Sequence, residues 1–316
     1  MRVVSANEVD SALTFEGMVD ALAEAFTADI VTPVRHHHEI EREGATATLL
    51  LMPAWTGTAV ADGFVGVKVV SVFPDNGKRS LPSILGTYLL MDGATGMPKA
   101  AIDGTRLTLW RTACASALGA RYLARADAKT MTMVGAGALA PFLIRAHMSQ
   151  RPIEKIHLWN HRPERARDLA ATLRGEGLPV EATEDLESAL RGSDLVSCAT
   201  LSKEPIVHGA WLKEGAHLDL VGAFNLHMRE ADDDAVRRAS VFIDTQAAKK
   251  EGGEVALAIA SGAIAPEHVK ADLFALCRGE AKGRANEAEI TLFKSVGTAI
   301  EDLAAAMLVM KRLADG

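Results

Sequence analysis

A glycine-rich segment in the middle of the chain has the composition and spacing of a dinucleotide-binding loop. It reads Gly135-Ala136-Gly137-Ala138-Leu139-Ala140 and lies between an apolar strand pattern and a helical pattern. Gly135 permits a tight turn, Gly137 lets the backbone approach a pyrophosphate, and Ala140 lets the helix pack close to the strand. Free N–H groups at the helix start attract an anion. The segment predicts a nicotinamide site; the alternative is a glycine turn in an unrelated α/β protein.

The end of the next predicted strand bears on which nicotinamide cofactor is preferred. Trp159 is followed by Asn160, His161 and Arg162, and the first carboxylate after them is Glu164. An NAD site usually has an acidic residue here that binds the ribose 2′-hydroxyl group. A guanidinium suits a 2′-phosphate, because it can donate two charge-assisted hydrogen bonds. We therefore expect Asn160 and Arg162 to contact the cofactor and NADP(H) to be favoured, with NAD(H) also accepted; a solvated Arg162 is the alternative.

Three cations in the first third of the chain have apolar or strand-like neighbours. Lys68 interrupts the apolar run 65–70, Arg111 lies in an apolar helical stripe, and Arg35 opens a strand-like run. A buried charge is costly unless it is paired. The three side chains are suited to holding a small carboxylate, which Arg can bind with two hydrogen bonds. The alternative is one lysine on an edge strand and two surface arginines.

Three adjacent histidines, His36, His37 and His38, raise the question of a metal site. Neighbouring strand residues point to opposite faces, so at most two of them share one ion. The sequence has no matching Cys/His/Asp cluster elsewhere, and it has neither a GxSxG nor an HExxH motif. We therefore expect no metal ion and no serine hydrolase or zinc peptidase chemistry.

The second half of the chain alternates strand and helix patterns. Helical stretches at Pro163–Arg174 and Asp185–Arg191 separate some of the apolar runs. The predicted strands are Thr130–Val134, Lys155–Trp159, Val180–Ala182, Asp194–Ala199, His217–Val221 and Ser240–Asp244. Such alternation predicts an α/β fold with a Rossmann-type, doubly wound parallel sheet.

The first third and the end of the chain have a different pattern. Phe15, Met18, Leu22 and Phe26 recur at helical spacing, with Thr14 as the N-cap. Further predicted elements are strands at Ala47–Met52, Phe64–Val72 and Leu85–Met91, a hairpin at Tyr88–Ile102, a helix through Leu107–Tyr122, and one long amphipathic helix at Glu287–Leu313. These elements predict a mixed α+β region.

Composition excludes several classes of protein. The chain has 316 residues, of which 48% are hydrophobic, and a formal net charge of −7. It has no broad basic field for nucleic acid and no apolar run long enough to span a membrane. The N-terminal residues do not have the pattern of a signal peptide. The widely spaced Cys114, Cys198 and Cys277 are predicted to be reduced thiols. We expect a cytoplasmic enzyme that binds neither nucleic acid nor membranes.

Several motifs along nearly the whole length make the chain resemble the ornithine cyclodeaminase/μ-crystallin family. They are Pro33-Val34-Arg35, Leu51-Met52-Pro53-Ala54, Lys68, Met91-Asp92-Gly93, Trp110-Arg111-Thr112-Ala113, Val134–Ala140, Asp219-Leu220-Val221-Gly222-Ala223 and Phe293-Lys294-Ser295-Val296-Gly297. The resemblance implies a homodimer. It also implies a discontinuous substrate-binding and dimerisation domain, residues 1–115 with 290–316, and a Rossmann domain, residues 116–289.

The resemblance also assigns roles to individual residues. It implies that Arg35, Lys68 and Arg111 bind the substrate carboxylate, with Met52 beside them. Further cofactor contacts are then expected from residues at strand ends and in the family motifs, namely Thr112, Thr200, Val221, Gly222, Ser295 and Gly297.

One loop separates the activities found within the family. Cyclodeaminases of the family have an aspartate that acts on the substrate amine, and Phe224 stands at the matching position. A phenyl ring cannot carry a proton. The stretch from Val221 to Glu230 is similar to the cyclic ketimine reductases, which reduce Δ1-pyrroline-2-carboxylate to L-proline and often Δ1-piperideine-2-carboxylate to L-pipecolate. Lys68, Arg111 and Asn225 are then the expected catalytic residues, with Asn225 at the substrate nitrogen.

Three other functions are also compatible with the sequence. The first is an ornithine cyclodeaminase, the second an alanine dehydrogenase-like amination of an open-chain keto acid, and the third a non-catalytic NADPH or small-molecule binding protein. Ammonia release from ornithine, amine-dependent NADPH oxidation, and ligand binding without turnover would distinguish them.

Overall fold

The computed structural model describes residues 1–58 and 63–315. The chain divides into two compact units. The first unit is Met1–Thr112 with Thr298–Gly316, and the second is Ala113–Gly297. The Rossmann-type α/β fold predicted from the sequence is confirmed in the second unit.

The first unit contains a seven-stranded mixed sheet. Its order is β1-β7-β6-β5-β4-β2, and β3 also pairs with β4. The strands are β1 (Arg2–Val4), β2 (Ile30–Val31), β3 (His36–Ile40), β4 (Ala47–Thr56), β5 (Phe64–Val72), β6 (Ile84–Asp92) and β7 (Pro98–Asp103). All pairs are antiparallel except β1 with β7. The predicted strands at 47–52, 64–72 and 85–91 and the predicted hairpin are therefore confirmed.

Helices of the first unit pack against this sheet and against each other. They are α1 (Ala6–Ala12), α2 (Phe15–Thr27), the beginning of α3 (Gly104–Leu123) and α11 (Ala299–Asp315); a short 3-10 turn spans Pro74–Arg79. The predicted cap of α2 is present, because the Thr14 side chain accepts a hydrogen bond from the Gly17 N–H. Helix α11 packs against α2, β4, β5 and β6.

The second unit is built on an eight-stranded sheet in which all pairs are parallel. Its order is β10-β9-β8-β11-β12-β15-β13-β14. The strands are β8 (Thr130–Val134), β9 (Lys155–Trp159), β10 (Val180–Ala182), β11 (Leu195–Cys198), β12 (His217–Leu220), β13 (Ser240–Ile243), β14 (Val269–Asp272) and β15 (Thr291–Lys294). The strand order reverses between β8 and β11, the position at which parallel sheets of this kind bind ligands.

Helices connect these parallel strands. They are α4 (Ala140–Gln150), α5 (Pro163–Gly175), α6 (Leu186–Gly192), α7 (Asp233–Arg238), α8 (Ala248–Glu251), α9 (Gly253–Ala260) and α10 (Leu273–Cys277); 3-10 turns span Gly209–Trp211 and Pro266–His268. A core of buried aliphatic side chains lies between the sheet and the helices.

The prediction of one helix over Glu287–Leu313 is wrong in its first half. Residues Thr291–Lys294 form β15, which pairs with β12 and β13 in the centre of the sheet, and α11 begins only at Ala299. Leu292, Val296 and Ile300 are four residues apart, which imitates a helical stripe. A continuous helix is also interrupted at Gly297, whose φ of 77° is left-handed. The boundary predicted at residue 290 consequently precedes a strand of the second unit.

In the described part of the chain, no helix is long and apolar enough to cross a membrane. No disulfide is formed among the described residues: Cys114 and Cys198 are buried, and Cys277 is partly buried.

Candidate active site

The glycine-rich loop joins β8 to α4 at the carboxyl edge of the parallel sheet. Gly135 has a φ of 111°, and its N–H donates to the Trp159 carbonyl at 2.8 Å. A Cβ at Gly135 would lie 2.6 Å from the Ala199 carbonyl oxygen, so this position requires glycine. A Cβ at Gly137 would meet nothing within 4 Å. The space beside Gly137 is therefore open on the protein side, as a site for a pyrophosphate requires.

Asn160 connects the end of β9 to the glycine-rich loop. Its Oδ1 accepts a hydrogen bond from the Ala136 N–H at 3.2 Å, and its Nδ2 donates to the Arg162 carbonyl at 3.1 Å. Asn160 is 8% exposed, and both the oxygen and the nitrogen of its side-chain amide are engaged in shaping the loop. The side chain thereby holds the two segments that the sequence assigned to the cofactor in one arrangement.

A cavity of about 580 Å³ lies at this edge of the second unit. It is lined by Ala136, Gly137, Trp159, Asn160, His161, Arg165, Ala199, Thr200, Leu201, Ser202 and Ile206. Arg162 is exposed and is not among the lining residues, whereas Arg165, three residues further along α5, is one of them. From the sequence we chose Arg162, the first arginine after the strand. Arg165 lies about one helical turn further along, and this spacing was the signal that could have identified it.

The predicted cations of the first unit are brought together by two carboxylates of α11. Lys68 Nζ lies 2.9 Å from Asp302 Oδ1, and Arg111 Nε lies 3.0 Å from the same oxygen. Arg111 NH1 also lies 2.6 Å from Glu301 Oε2. Lys68 and Arg111 are 2% and 6% exposed, and both carboxylates are fully buried. The interpretation as an edge-strand lysine and a surface Arg111 is wrong, because β5 lies between β4 and β6.

This group of four side chains, Lys68, Arg111, Glu301 and Asp302, has no net charge when all are ionised. Burial, and then the charge of Arg111, lower the pKa of Lys68 to about 8, while Asp302 opposes the shift. Both carboxylates lie near the N-terminus of α11, where the helix dipole favours negative charge. Sequence reasoning missed both, although two adjacent acids on an otherwise buried helical face were a signal.

Two more side chains flank Lys68 on the same face of the sheet. Met52 of β4 and Tyr88 of β6 are its direct partners in register. The Tyr88 hydroxyl is buried and has no hydrogen-bond partner among the described residues. Burial, followed by the charge of Asp302, raises the pKa of Tyr88 well above its usual value, so the hydroxyl keeps its proton. Tyr88 was not among the predicted residues, whereas Met52 was.

Arg35 and the three histidines lie at and along β3. Arg35 is partly buried immediately before the strand, and His36 pairs in register with Leu51, the neighbour of Met52. The rings of His36 and His38 lie 6.3 Å apart on the same face, and all three histidines are exposed. No cluster of three or more His, Cys, Asp or Glu side chains with metal-binding geometry occurs in residues 1–58 and 63–315.

The loop after β12 contains Phe224 and Asn225, the residues from which the sequence predicts a reductase and not a cyclodeaminase. Phe224 is 44% exposed. Asn225 uses its Oδ1 to accept from the His227 N–H at 2.9 Å, and its Nδ2 lies 3.3 Å from Met228 Sδ. The Asn225 amide is thus engaged within its own loop, and its assignment to the substrate nitrogen stays a prediction.

The segment after β15 is held by the buried carboxylate of Asp244. Asp244 Oδ2 accepts from the Val296 and Gly297 N–H groups at 2.7 and 2.6 Å and from Ser295 Oγ at 3.1 Å. Burial raises the pKa of Asp244, although these donors lower it. Ser295 and Gly297 are predicted cofactor residues, and Thr112 lies partly buried on α3. Asp244 was not predicted; it orders the segment that contains two of them.

Comparison with known proteins gives consistent matches over the full length. A model of the ornithine cyclodeaminase/mu-crystallin family matches residues 1–316. A Δ1-pyrroline-2-carboxylate reductase from Paracoccus denitrificans is 37% identical over 98% of this chain and 96% of its own.

Two solved structures show the same relation. Thermococcus litoralis Δ1-pyrroline-2-carboxylate reductase, in complex with NADH and L-proline, has a TM-score of 0.93 and 33% identity, covering 100% of this chain and 98% of its own. An archaeal alanine dehydrogenase dimer with bound NAD has a TM-score of 0.90 and 28% identity, covering 100% and 96%.

Proposed function

This chain belongs to the ornithine cyclodeaminase/μ-crystallin family, and we propose that it reduces Δ1-pyrroline-2-carboxylate to L-proline with a reduced nicotinamide cofactor. We extend the proposal to the six-membered Δ1-piperideine-2-carboxylate, which gives L-pipecolate. The observation that carries the proposal is the full-length similarity, at 37% identity, to a reductase of that substrate. The buried cations and the Rossmann unit described above fit this chemistry.

In this proposal the first unit binds the substrate. Lys68 and Arg111 hold the carboxylate of the cyclic imine with charge-assisted hydrogen bonds, and Arg35 and Met52 complete the substrate contacts. A cyclic iminium carboxylate has no net charge, which suits a group of two cations and two carboxylates. The fixed orientation lowers the barrier by ordering the reacting carbon before hydride transfer.

The second unit binds the cofactor, which supplies the hydride when it is bound. The glycine-rich loop and the N-terminus of α4 present N–H groups to the pyrophosphate. The ring nitrogen of the protonated imine already attracts electrons from the carbon that accepts the hydride. The chain therefore needs to orient the substrate and exclude water, and it needs no strong general base.

The reductase activity is tested by following NADPH oxidation with each of the two cyclic imines. We expect rapid oxidation and the L-amino acid as product. In parallel, ornithine with NAD and pyruvate with ammonia and NADPH test cyclodeamination and alanine dehydrogenase activity; the latter is the second candidate because of the alanine dehydrogenase structure. Ammonia from ornithine, or faster oxidation with pyruvate and ammonia than with either imine, would contradict the proposal.

We further propose that NADP(H) is preferred over NAD(H). His161 and Arg165 line the cavity beside Trp159 and Asn160, at the strand end where a 2′-phosphate is recognised. No acidic side chain is among the residues that line this cavity in the described structure. The Arg165 guanidinium there favours a phosphate over a hydroxyl.

Replacing Arg165 by alanine is expected to raise the KM for NADPH about tenfold and to leave the KM for NADH within about twofold, since one charge-assisted hydrogen bond is worth about 1.5–3 kcal/mol. Arg162→Ala tests the residue chosen from the sequence, and we expect a smaller change in the NADPH:NADH ratio. Equal ratios in the wild type and Arg165→Ala would contradict a role for Arg165.

We also propose that two copies pair through the sheet of the first unit. Side chains alternate along β5, so Lys68 points to α11 and Val67 and Val69 point to the opposite face. That face contains a cavity of about 540 Å³ whose lining includes Val3, Val69 and Leu85. Val3 is 74% and Leu85 43% exposed in the single chain. An exposed apolar sheet face of this kind marks an interaction surface.

Val69→Asp is expected to convert the dimer to a monomer, because it places an unpaired charge in the centre of this apolar face. Sedimentation equilibrium would measure the change in mass. Met97→Asp is the matched control, since Met97 is 67% exposed in the turn between β6 and β7. An unchanged mass for Val69→Asp would exclude this face as the interface.

The free thiols support a cytoplasmic location, which we propose as well. Cys198 is a buried free thiol, and Cys277 is a free thiol on α10. Unpaired thiols are typical of reducing compartments. Fractionation of cells expressing the tagged protein would test the location.

A further inference from the structure

Glu230 is a buried carboxylate that joins the loops after two adjacent strands. Its Oε1 accepts hydrogen bonds from the Thr200 N–H at 2.6 Å and from Thr200 Oγ1 at 2.9 Å. Its Oε2 accepts from the N–H groups of Gly222 at 2.7 Å and Ala223 at 3.2 Å. Thr200 follows β11, and Gly222 follows β12. One side chain thus supplies the acceptors for four donors in two loops.

Two further buried charged side chains, Glu254 and Lys294, adjoin Glu230. The Glu230 N–H donates to Glu254 Oε1 of α9 at 2.6 Å. Glu254 Oε2 lies 2.7 Å from Lys294 Nζ of β15, and all three side chains are fully buried. The order Lys294, Glu254, Glu230 therefore links the centre of the sheet to both loops.

The junction between the two loops is too tight to rearrange freely. A Cβ at Gly222 would lie 2.1 Å from the Thr200 carbonyl oxygen and 2.4 Å from Glu230 Oε1. On its other side, Thr200 Cγ2 is 3.2 Å from the place of a Cβ on Gly135. A displacement of Thr200 would therefore reach the glycine-rich loop directly.

We propose that Glu230 is a positioning residue for the nicotinamide cofactor. Thr200, Leu201 and Ser202 line the cavity together with Gly137, so the loop that Glu230 holds forms one wall of that cavity. Glu230 acts through the Thr200 loop and the Gly222 loop, and it does not need to touch the cofactor. This inference rests on the proposed function, because it assigns the cavity to the nicotinamide.

The ionisation state of Glu230 decides whether it can fill this role. Burial, and then the charge of Glu254, raise its pKa to about 7, while Lys294 and the Thr200 donors lower it. Cys198 of β11 also faces the carboxylate. A protonated carboxyl would add a donor where four donors already converge. Because the pKa lies above the usual value, ionisation of Glu230 lowers folding stability as the pH rises through about 7.

Glu230→Gln tests the proposal, since the amide keeps the size but replaces one acceptor oxygen by a donor. We expect the Kd for NADH and for NADPH to rise by about tenfold or more, the value of one charge-assisted hydrogen bond. Both should rise by the same factor, and kcat at saturating cofactor should change less than the KM for the cofactor. A loss of folded protein would lower kcat without changing that KM.

Asp219→Asn is the matched control: it removes another fully buried carboxylate, bonded to His147 and Ser197, and should leave both Kd values unchanged.

A measurement on the wild-type protein applies even if the variant does not fold. The Kd for NADH, which lacks a titrating 2′-phosphate, should rise as the pH falls from about 8.5 to about 5.5. A constant Kd over this range, or an unchanged Kd in Glu230→Gln, would overturn the inference. Failure of the wild type to bind either nucleotide at any pH would instead overturn the proposed function.

Discussion

Lys68→Met is expected to lower kcat/KM for Δ1-pyrroline-2-carboxylate about a thousandfold, which corresponds to about 4 kcal/mol. Lys68 is 2% exposed and ion-paired, so no water or surface cation can take its place at a substrate carboxylate. The Kd for NADPH should stay unchanged, because Lys68 belongs to the first unit and the glycine-rich loop to the second. Steady-state kinetics and fluorescence titration of NADPH measure the two quantities.

The structure also limits the effect of Lys68→Met on stability. Asp302 keeps its ion pair with Arg111 at 3.0 Å, so the substitution does not leave a buried carboxylate without a cation. Lys99→Met is the matched control, since Lys99 is an exposed lysine of the same sheet, paired with Asp92. Wild-type kcat/KM in a folded Lys68→Met protein would refute the assignment of the carboxylate to Lys68.

Gly137→Val is expected to weaken binding of NADPH and NADH at least about a hundredfold while the melting temperature stays within about two degrees of wild type. A Cβ at Gly137 meets nothing within 4 Å, and the backbone there is not left-handed, so the protein accommodates the side chain. The added methyl groups would occupy the space that the pyrophosphate approaches. Calorimetric titration and thermal unfolding measure the two effects.

Two other glycines provide the contrast. A Cβ at Gly135 would lie 2.6 Å from the Ala199 carbonyl, and φ is 111°, so Gly135→Ala should lower the melting temperature as well as the affinity. Gly192 at the end of α6 has open space and no left-handed φ, so Gly192→Val should change neither affinity. Normal cofactor binding by Gly137→Val would show that the pyrophosphate does not lie against Gly137.

The local pattern of residues was sufficient for most of the architecture. Strands 64–72, 130–134, 155–159 and 180–182 have the predicted limits, because apolar or β-branched side chains recur at the buried positions of each strand. The glycine-rich loop was equally predictable, since only glycine tolerates the φ of 111° at Gly135 beside the Ala199 carbonyl. Lys68 and Arg111 were found because a cation inside an apolar pattern is costly and needs a reason.

Contacts between distant parts of the chain decided the rest. Residues 291–294 became a strand because the sheet offered a place between β12 and β13, which no local period reveals. Glu301 and Asp302 pair with cations about 190 to 234 residues away in sequence, so their role depends on the packing of α11 on β5 and α3.

The sequence by itself therefore determined the Rossmann topology, the glycine-rich loop and the two buried cations. Each depends on a constraint within a few residues: period, left-handed backbone, or a charge in an apolar run. Only the tertiary structure decided which carboxylates neutralise Lys68 and Arg111, that Arg165 lines the cavity, and that Glu230 joins two loops. Those facts depend on which side chains come within hydrogen-bond distance of each other after the elements pack. The residue types alone do not specify these contacts.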